Sequence, residues 1–140
     1  MKKYKKYVKN TEREVKKYID ILEKQFKDFR RKLAYDRYFD GIDETTISKY
    51  IINEMISIDK NKKDLSKILE SAQNTVRKVI ENNPYCDEDD YYIAYLDQFL
   101  NYAIRTYNMF VTIFDYYEPV IVSARKPLTN QRKNNATIQD

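Results

Sequence analysis

The sequence predicts an all-α protein built as an antiparallel four-helix bundle, and three observations lead to that prediction. The 140-residue chain holds one glycine and three prolines, too few turn-formers for a many-stranded sandwich or barrel. Apolar residues return at steps of three and four along most of the chain, as on one face of a helix. Hydrophobic residues make up 42% and charged residues 34%, a balance typical of globular domains. We therefore expect two long and two shorter helices in one domain.

The first helix is predicted to be long and amphipathic. Its apolar stripe recurs every seven residues and consists of Val8, Val15, Leu22 and Phe29. Residues 11–14 match a capping box, so residues 1–10 either extend this helix or form a separate basic arm. Gly41, the only glycine, lies where the helix is expected to end.

Two shorter helices are predicted next, separated by a turn. Residues 43–46 supply capping side chains for the second helix, whose apolar positions are Ile47, Tyr50, Ile51, Met55 and Ile58. The polar run of residues 59–64 indicates a turn. The third helix is defined by Leu65, Ile68, Leu69, Ala72, Val76, Val79 and Ile80. The Asn-Asn-Pro sequence at residues 82–84 stops it.

The fourth helix is predicted to begin in the acidic residues 87–90 and to end at Pro119. Its apolar stripe consists of Tyr92, Leu96, Phe99, Ala103, Tyr107, Phe110, Phe114 and Tyr117. Further apolar residues lie off this stripe, so the helix is either central in the bundle or faces another subunit. We expect residues 1–122 to form the helical domain and residues 123–140 to form a polar tail.

The uneven distribution of charge is the main functional signal. Residues 1–37 carry 14 basic and 6 acidic side chains, residues 38–118 carry 8 and 15, and residues 119–140 carry 4 and 1. Near the N-terminus, basic residues at alternating steps of four and three form a row about 21 Å long on one helix face. The row consists of Lys2, Lys6, Lys9, Arg13 and Lys16. Such a row suits a phosphate backbone.

The first functional hypothesis is therefore contact with nucleic acid, either DNA or RNA. The predicted contact residues are Lys2, Lys3, Lys5, Lys6, Lys9, Arg13, Lys16 and Lys17, with Arg125, Lys126, Arg132 and Lys133 in the tail. Contacts to the backbone carry no base information, so binding would be sequence-tolerant. An acidic protein surface is the alternative partner of this face, and a merely solubilising row of lysines is the non-functional interpretation.

The competing hypothesis is a protein-interaction or structural subunit. The chain has 14 tyrosines, a residue type favoured where one end of a side chain is buried and the other is wet. The predicted interface residues on the fourth helix are Tyr91, Tyr95, Tyr102 and Tyr116. This class includes a small inhibitor, an accessory subunit, or a coat-like protein of a virus or mobile element. Complementary acidic and basic segments would also favour a homo-oligomer or a larger assembly.

Catalytic and metal chemistry is largely excluded by composition. The chain has no histidine and a single cysteine, Cys86, which rules out disulfide frameworks, His/Cys zinc sites and imidazole-dependent triads. The carboxylates at residues 87–90 are explained by a helix N-terminus and lack the glycine of a calcium-binding loop. We expect no enzyme, no metal and no cofactor. Because no apolar segment resembles a signal peptide or a membrane span, we expect an intracellular, cytoplasmic protein or a virion component.

Overall fold

A computed structural model of the protein describes residues 4–34, 39–82 and 88–117, together with Pro119 and Ala124. These ranges contain three helices: α1 (Lys5–Ala34), α2 (Glu44–Asn82) and α3 (Glu88–Tyr116). No strand occurs in the ranges described, so the all-α prediction is confirmed there, whereas the prediction of four helices is wrong. No helix in this part of the chain is long and apolar enough to cross a membrane.

The helices form an up-down-up bundle in which each contacts the other two. Two contacts show that α1 and α3 run parallel: Glu12 and Tyr95 meet near the N-terminal ends, and Phe29 meets Tyr117 near the C-terminal ends. α2 runs antiparallel to both. Its N-terminal part lies beside the end of α1, where the Lys32 Nζ sits 5.1 Å from the centre of the Tyr50 ring.

The predicted turn at residues 59–64 is instead the middle of one continuous 39-residue helix. The run contains no glycine or proline, so nothing in its backbone opposes a helix. Ile58 and Leu65, seven residues apart, are both fully buried, which shows that the apolar face continues in phase across the run. Asp59 bonds to Lys63 one turn later at 2.9 Å, a pairing that supports a helix. The polar side chains are therefore part of a helix surface, and the second and third predicted helices are one.

Some of these polar side chains bridge helices. The Asn61 side-chain amide donates to the Gln25 Oε1 at 2.9 Å, and the Gln25 Nε2 donates to the Ser57 hydroxyl at 2.9 Å. The Lys62 Nζ lies 4.0 Å from the centre of the Phe114 ring on α3. These contacts join the middle of α2 to both neighbours and align the three helices along their length.

The core is built from the apolar stripes of the three helices. On α1 the predicted stripe residues are all buried, and Leu22 and Phe29 are completely inaccessible. Thr11, the first residue of the predicted capping box, is also buried inside α1. The helix begins at Lys5, so of the two alternatives for residues 1–10 the helical one holds for residues 5–10. Of the predicted tail, the structure describes only Ala124, which is buried.

A tight turn and a side-chain cap start α2. The Ile42 N–H donates to the Phe39 carbonyl at 3.1 Å, and Gly41 has φ of +75°, which identifies a type II turn. Gly41 therefore lies just before α2, whereas α1 ends at Ala34. As predicted, the segment at residues 43–46 caps α2: the Thr46 N–H donates to the Asp43 Oδ1 at 2.7 Å.

Candidate nucleic-acid interface

The predicted basic residues of α1 lie on its solvent face. Lys6, Lys9, Arg13, Lys16 and Lys17 are exposed, and Lys5 is half-buried. Helix α1 has no acidic residue in its first turn to complement the helix dipole. The remaining predicted contacts lie outside the described residues: Lys2, Lys3, Arg125, Lys126, Arg132 and Lys133.

The basic face is longer than predicted. Exposed cations lie on the solvent side of both halves of α1, and we call this set the cation row: Lys6, Lys9, Arg13, Lys24, Lys27 and Arg31. At 1.5 Å per residue the row is about 37 Å long, against about 21 Å for the predicted one. Over its 30 residues α1 has 11 basic and 5 acidic side chains, with Asp20 interrupting the row. The steps between successive cations are three, four, eleven, three and four residues, a spacing that keeps them on one helix face and that the sequence already contained.

Lys16 is engaged within the molecule, at the flank of α1 that faces α3. Its Nζ lies 2.6 Å from the Glu12 Oε1, and the Tyr95 hydroxyl donates to the Glu12 Oε2 at 2.9 Å. The Lys16 hydrogen bond holds the pKa of Glu12 below its ordinary value, and the same contact raises the pKa of Lys16. The hydrogen bond to Glu12 raises the pKa of Tyr95. This network links α1 to α3. It also pairs Lys16, one of the predicted phosphate contacts, with a carboxylate of the protein itself.

The four tyrosines predicted as interface residues are exposed and fall on one side of α3. Together with Met109 they form what we call the tyrosine stripe: Tyr91 (72% exposed), Tyr95 (43%), Tyr102 (59%), Met109 (52%) and Tyr116 (76%). Their spacing of four and then seven residues keeps them aligned along the helix. The contact of Tyr95 with Glu12 places the stripe beside α1. The two surfaces that the sequence offered as alternatives are therefore neighbours.

Where α1 and α3 pack side by side towards their C-terminal ends there is a shallow depression of about 280 Å³, which we call the α1–α3 groove. Its floor is formed by Phe26, Phe110, Ile113 and Tyr117, and its rim by Glu23, Lys27, Arg30 and Met109, so that Lys27 of the cation row and Met109 of the tyrosine stripe both line it. Phe26 and Phe110 stack with their ring centres 5.6 Å apart. Burial raises the pKa of Tyr117. Aromatic floor and cationic rim are thus combined in one groove.

The acidic side chains that the structure describes on α3, those of Asp97 and Asp115, lie away from this groove. At 100° per residue, Asp97 and Asp115 fall about 100° or more from the tyrosine stripe around the helix. Asp97 instead lines a separate depression with Arg77 and Gln73 of α2. Beside the stripe, the exposed charged residue of α3 is Arg105. These two carboxylates of α3 therefore do not face the cations of α1.

Metal-binding geometry is absent from the part of the chain that the structure describes: no three carboxylate or thiol groups converge there. The side chains of residues 87–90, the carboxylates considered above, and Cys86 lie outside that part. Helices α1 and α3 offer cations and aromatic rings, which bind anions and flat apolar groups. No protein-family model, curated protein or solved structure matches this chain.

Proposed function

We propose that this protein acts by binding rather than by catalysis, and that its ligand is nucleic acid held without sequence preference. The observation that supports this proposal is the cation row of α1. Across the described ranges, no carboxylate lies within 4.0 Å of any of its six basic groups. A row of cations without carboxylate partners, about 37 Å long and interrupted at Asp20, suits the regular phosphates of a nucleic-acid backbone.

Helix stability offers no competing explanation for the N-terminal half of the row. Cations in the first turns of a helix oppose its dipole and are unfavourable there. Lys5, Lys6 and Lys9 occupy such positions, with no acidic residue in the first turn. A phosphate ligand supplies the missing negative charge at this end of α1.

The test is a fluorescence-anisotropy titration with labelled duplex DNA, single-stranded DNA and RNA at about 50 and about 200 mM salt. The decisive variant combines Lys9→Glu, Arg13→Glu and Lys17→Glu, three exposed positions in the N-terminal half of α1. Losing three phosphate contacts lowers the slope of log affinity against log salt by about 2.7 for a duplex and about 2.1 for a single strand.

A matched control separates a local effect from a change in net charge. Lys67→Glu, Arg77→Glu and Lys78→Glu make the same charge change on exposed positions of α2. We expect this control to keep most of the wild-type affinity and slope. Equal losses in both triple variants, or no binding to any nucleic acid at low salt, would overturn the proposal.

A second candidate function is a protein interface at the tyrosine stripe. The observation that favours it is the exposure of large apolar side chains along one helix, since such patches often mark interaction surfaces. Tyrosine and methionine are both enriched in interfaces. Sedimentation velocity tests this candidate: it requires a stable oligomer that Tyr102→Glu dissociates, whereas a monomer at high protein concentration counts against self-association.

A further inference from the structure

Helices α1 and α3 carry two parallel rows of different chemistry. The cation row follows the solvent side of α1 for about 37 Å, and the tyrosine stripe follows α3 from Tyr91 to Tyr116 over the same length. The axes of packed helices lie about 8–10 Å apart, so the cation row and the tyrosine stripe lie on neighbouring helices. Tyr91 and Tyr116 each pack edge-on against the next tyrosine, with ring centres 5.9 and 5.4 Å apart, which holds these exposed rings in place.

We propose that the nucleic acid bound here is single-stranded, with its phosphates on the cation row and its unpaired bases stacked on the tyrosine stripe. This inference rests on the proposed function and specifies its ligand. A groove that combines backbone cations with aromatic platforms is the arrangement that binds single strands with little sequence preference. In a duplex the bases are stacked inside the helix, so their faces cannot reach rings at the side of a phosphate-binding row.

The charge at the groove favours the same ligand. Glu12, Asp20 and Glu23 are the acidic residues of α1 nearest the proposed path, and the Glu12 carboxylate is occupied by Lys16 and Tyr95. Glu23 shares its part of the rim with Lys27 and Arg30. On the α3 side, Arg105 lies beside the stripe, between Tyr102 and Met109. Among the side chains that the structure describes, the rings are thus bordered by more cations than anions, as the backbone of a strand requires.

The experiment compares a labelled oligo(dT) of about 16 nucleotides with a duplex of similar length. Tyr91→Leu and Tyr102→Leu keep an apolar side chain but remove the flat ring, whereas Tyr91→Phe and Tyr102→Phe keep the ring and serve as matched controls. Stacking implies a loss of about fivefold or more in single-strand affinity for each leucine, with an unchanged salt slope and unchanged duplex affinity. The phenylalanine variants should retain wild-type affinity. Photo-crosslinking of the bound strand should label the α3 peptide that contains Tyr102.

Each outcome decides the matter. Equal affinity for both probes, with no effect of the leucine variants but loss of binding in the α1 triple variant, overturns the single-strand inference and leaves the proposed function standing. No binding of either probe at about 50 mM salt overturns both. If the leucine variants change the sedimentation coefficient and leave single-strand affinity unchanged, the stripe is an interface between copies and the inference is wrong.

Discussion

A proline at position 60 tests the feature on which the architecture depends, the continuity of α2. Lys60 is exposed and lies in the middle of the helix, so replacing its side chain disturbs no core packing. Proline at this position removes the hydrogen bond from residue 60 to the Ile56 carbonyl and pushes its ring against that carbonyl. It also disfavours the helical conformation of Asp59, whose carboxylate is bonded to Lys63.

The expected cost of Lys60→Pro is about 3 kcal/mol or more in the free energy of unfolding. In a urea titration followed by far-ultraviolet circular dichroism, this cost lowers the midpoint by roughly 1–3 M. If residues 59–64 formed a surface turn between two helices, proline would be tolerated there. A change within about 0.5 kcal/mol, the usual range for surface substitutions, would therefore refute the continuous helix.

Two controls accompany this variant. Lys60→Ala keeps the helix and should leave the stability within about 0.5 kcal/mol of the wild type. Asp40→Pro places proline at the second position of the type II turn before Gly41, where its fixed φ is favoured. That substitution should be neutral or stabilise by up to about 1 kcal/mol. A loss in Lys60→Pro alone would locate the effect in the helix rather than in proline itself.

Three further variants test local features. Gly41→Ala should lower the free energy of unfolding, measured by urea titration, by about 1 kcal/mol, because the residue has φ of +75°, although nothing lies within 4 Å of an added Cβ. An unchanged free energy of unfolding would contradict the turn geometry. The hydrogen bond from the Thr46 N–H lowers the pKa of Asp43. The ionised Asp43 carboxylate therefore stabilises the fold fully above its unfolded-state pKa, and this stabilisation is lost as the pH falls through the lower folded-state pKa. The stability advantage of wild type over Asp43→Asn should therefore shrink below about pH 4, and a constant difference would count against the cap. Glu12→Gln should release Lys16 and steepen the salt slope of nucleic-acid binding by about 0.7–0.9, whereas Glu14→Gln, the same charge change on another side of α1, should not.

The helical class and the buried faces were predictable because both depend on local spacing. The number of helices was not predictable in this way. Residues 59–64 have polar side chains that favour turns, but they include no glycine or proline, so the same residues can also form a helix. The phase of the apolar residues held the answer. Ile58 and Leu65 are two helical turns apart, so the apolar residues before and after the polar run lie on the same face of one helix. A loop of arbitrary length between two helices would not preserve this alignment.

The chemical components of the candidate site were also visible in the sequence, but their placement was not. Spacing alone identified the exposed tyrosines and the first half of the cation row. It gave no information on whether α1 and the last helix lie side by side, in which direction they run, or that Glu12 captures Lys16. Those relations depend on tertiary packing between residues such as Glu12 and Tyr95, which are 83 positions apart.

The continuity of α2 determines the arrangement of the candidate site. With an even number of antiparallel helices, the first and last helices run in opposite directions. Tyr95 would then lie near the C-terminal end of α1, beside Arg30 rather than Glu12. With three helices they run parallel, and the bond between Glu12 and Tyr95 joins their N-terminal parts. The continuity of α2 therefore determines the Glu12 network, the alignment of the tyrosines with the cations and the single-strand inference. For this reason the proline variant at position 60 tests the proposed ligand as well as the fold.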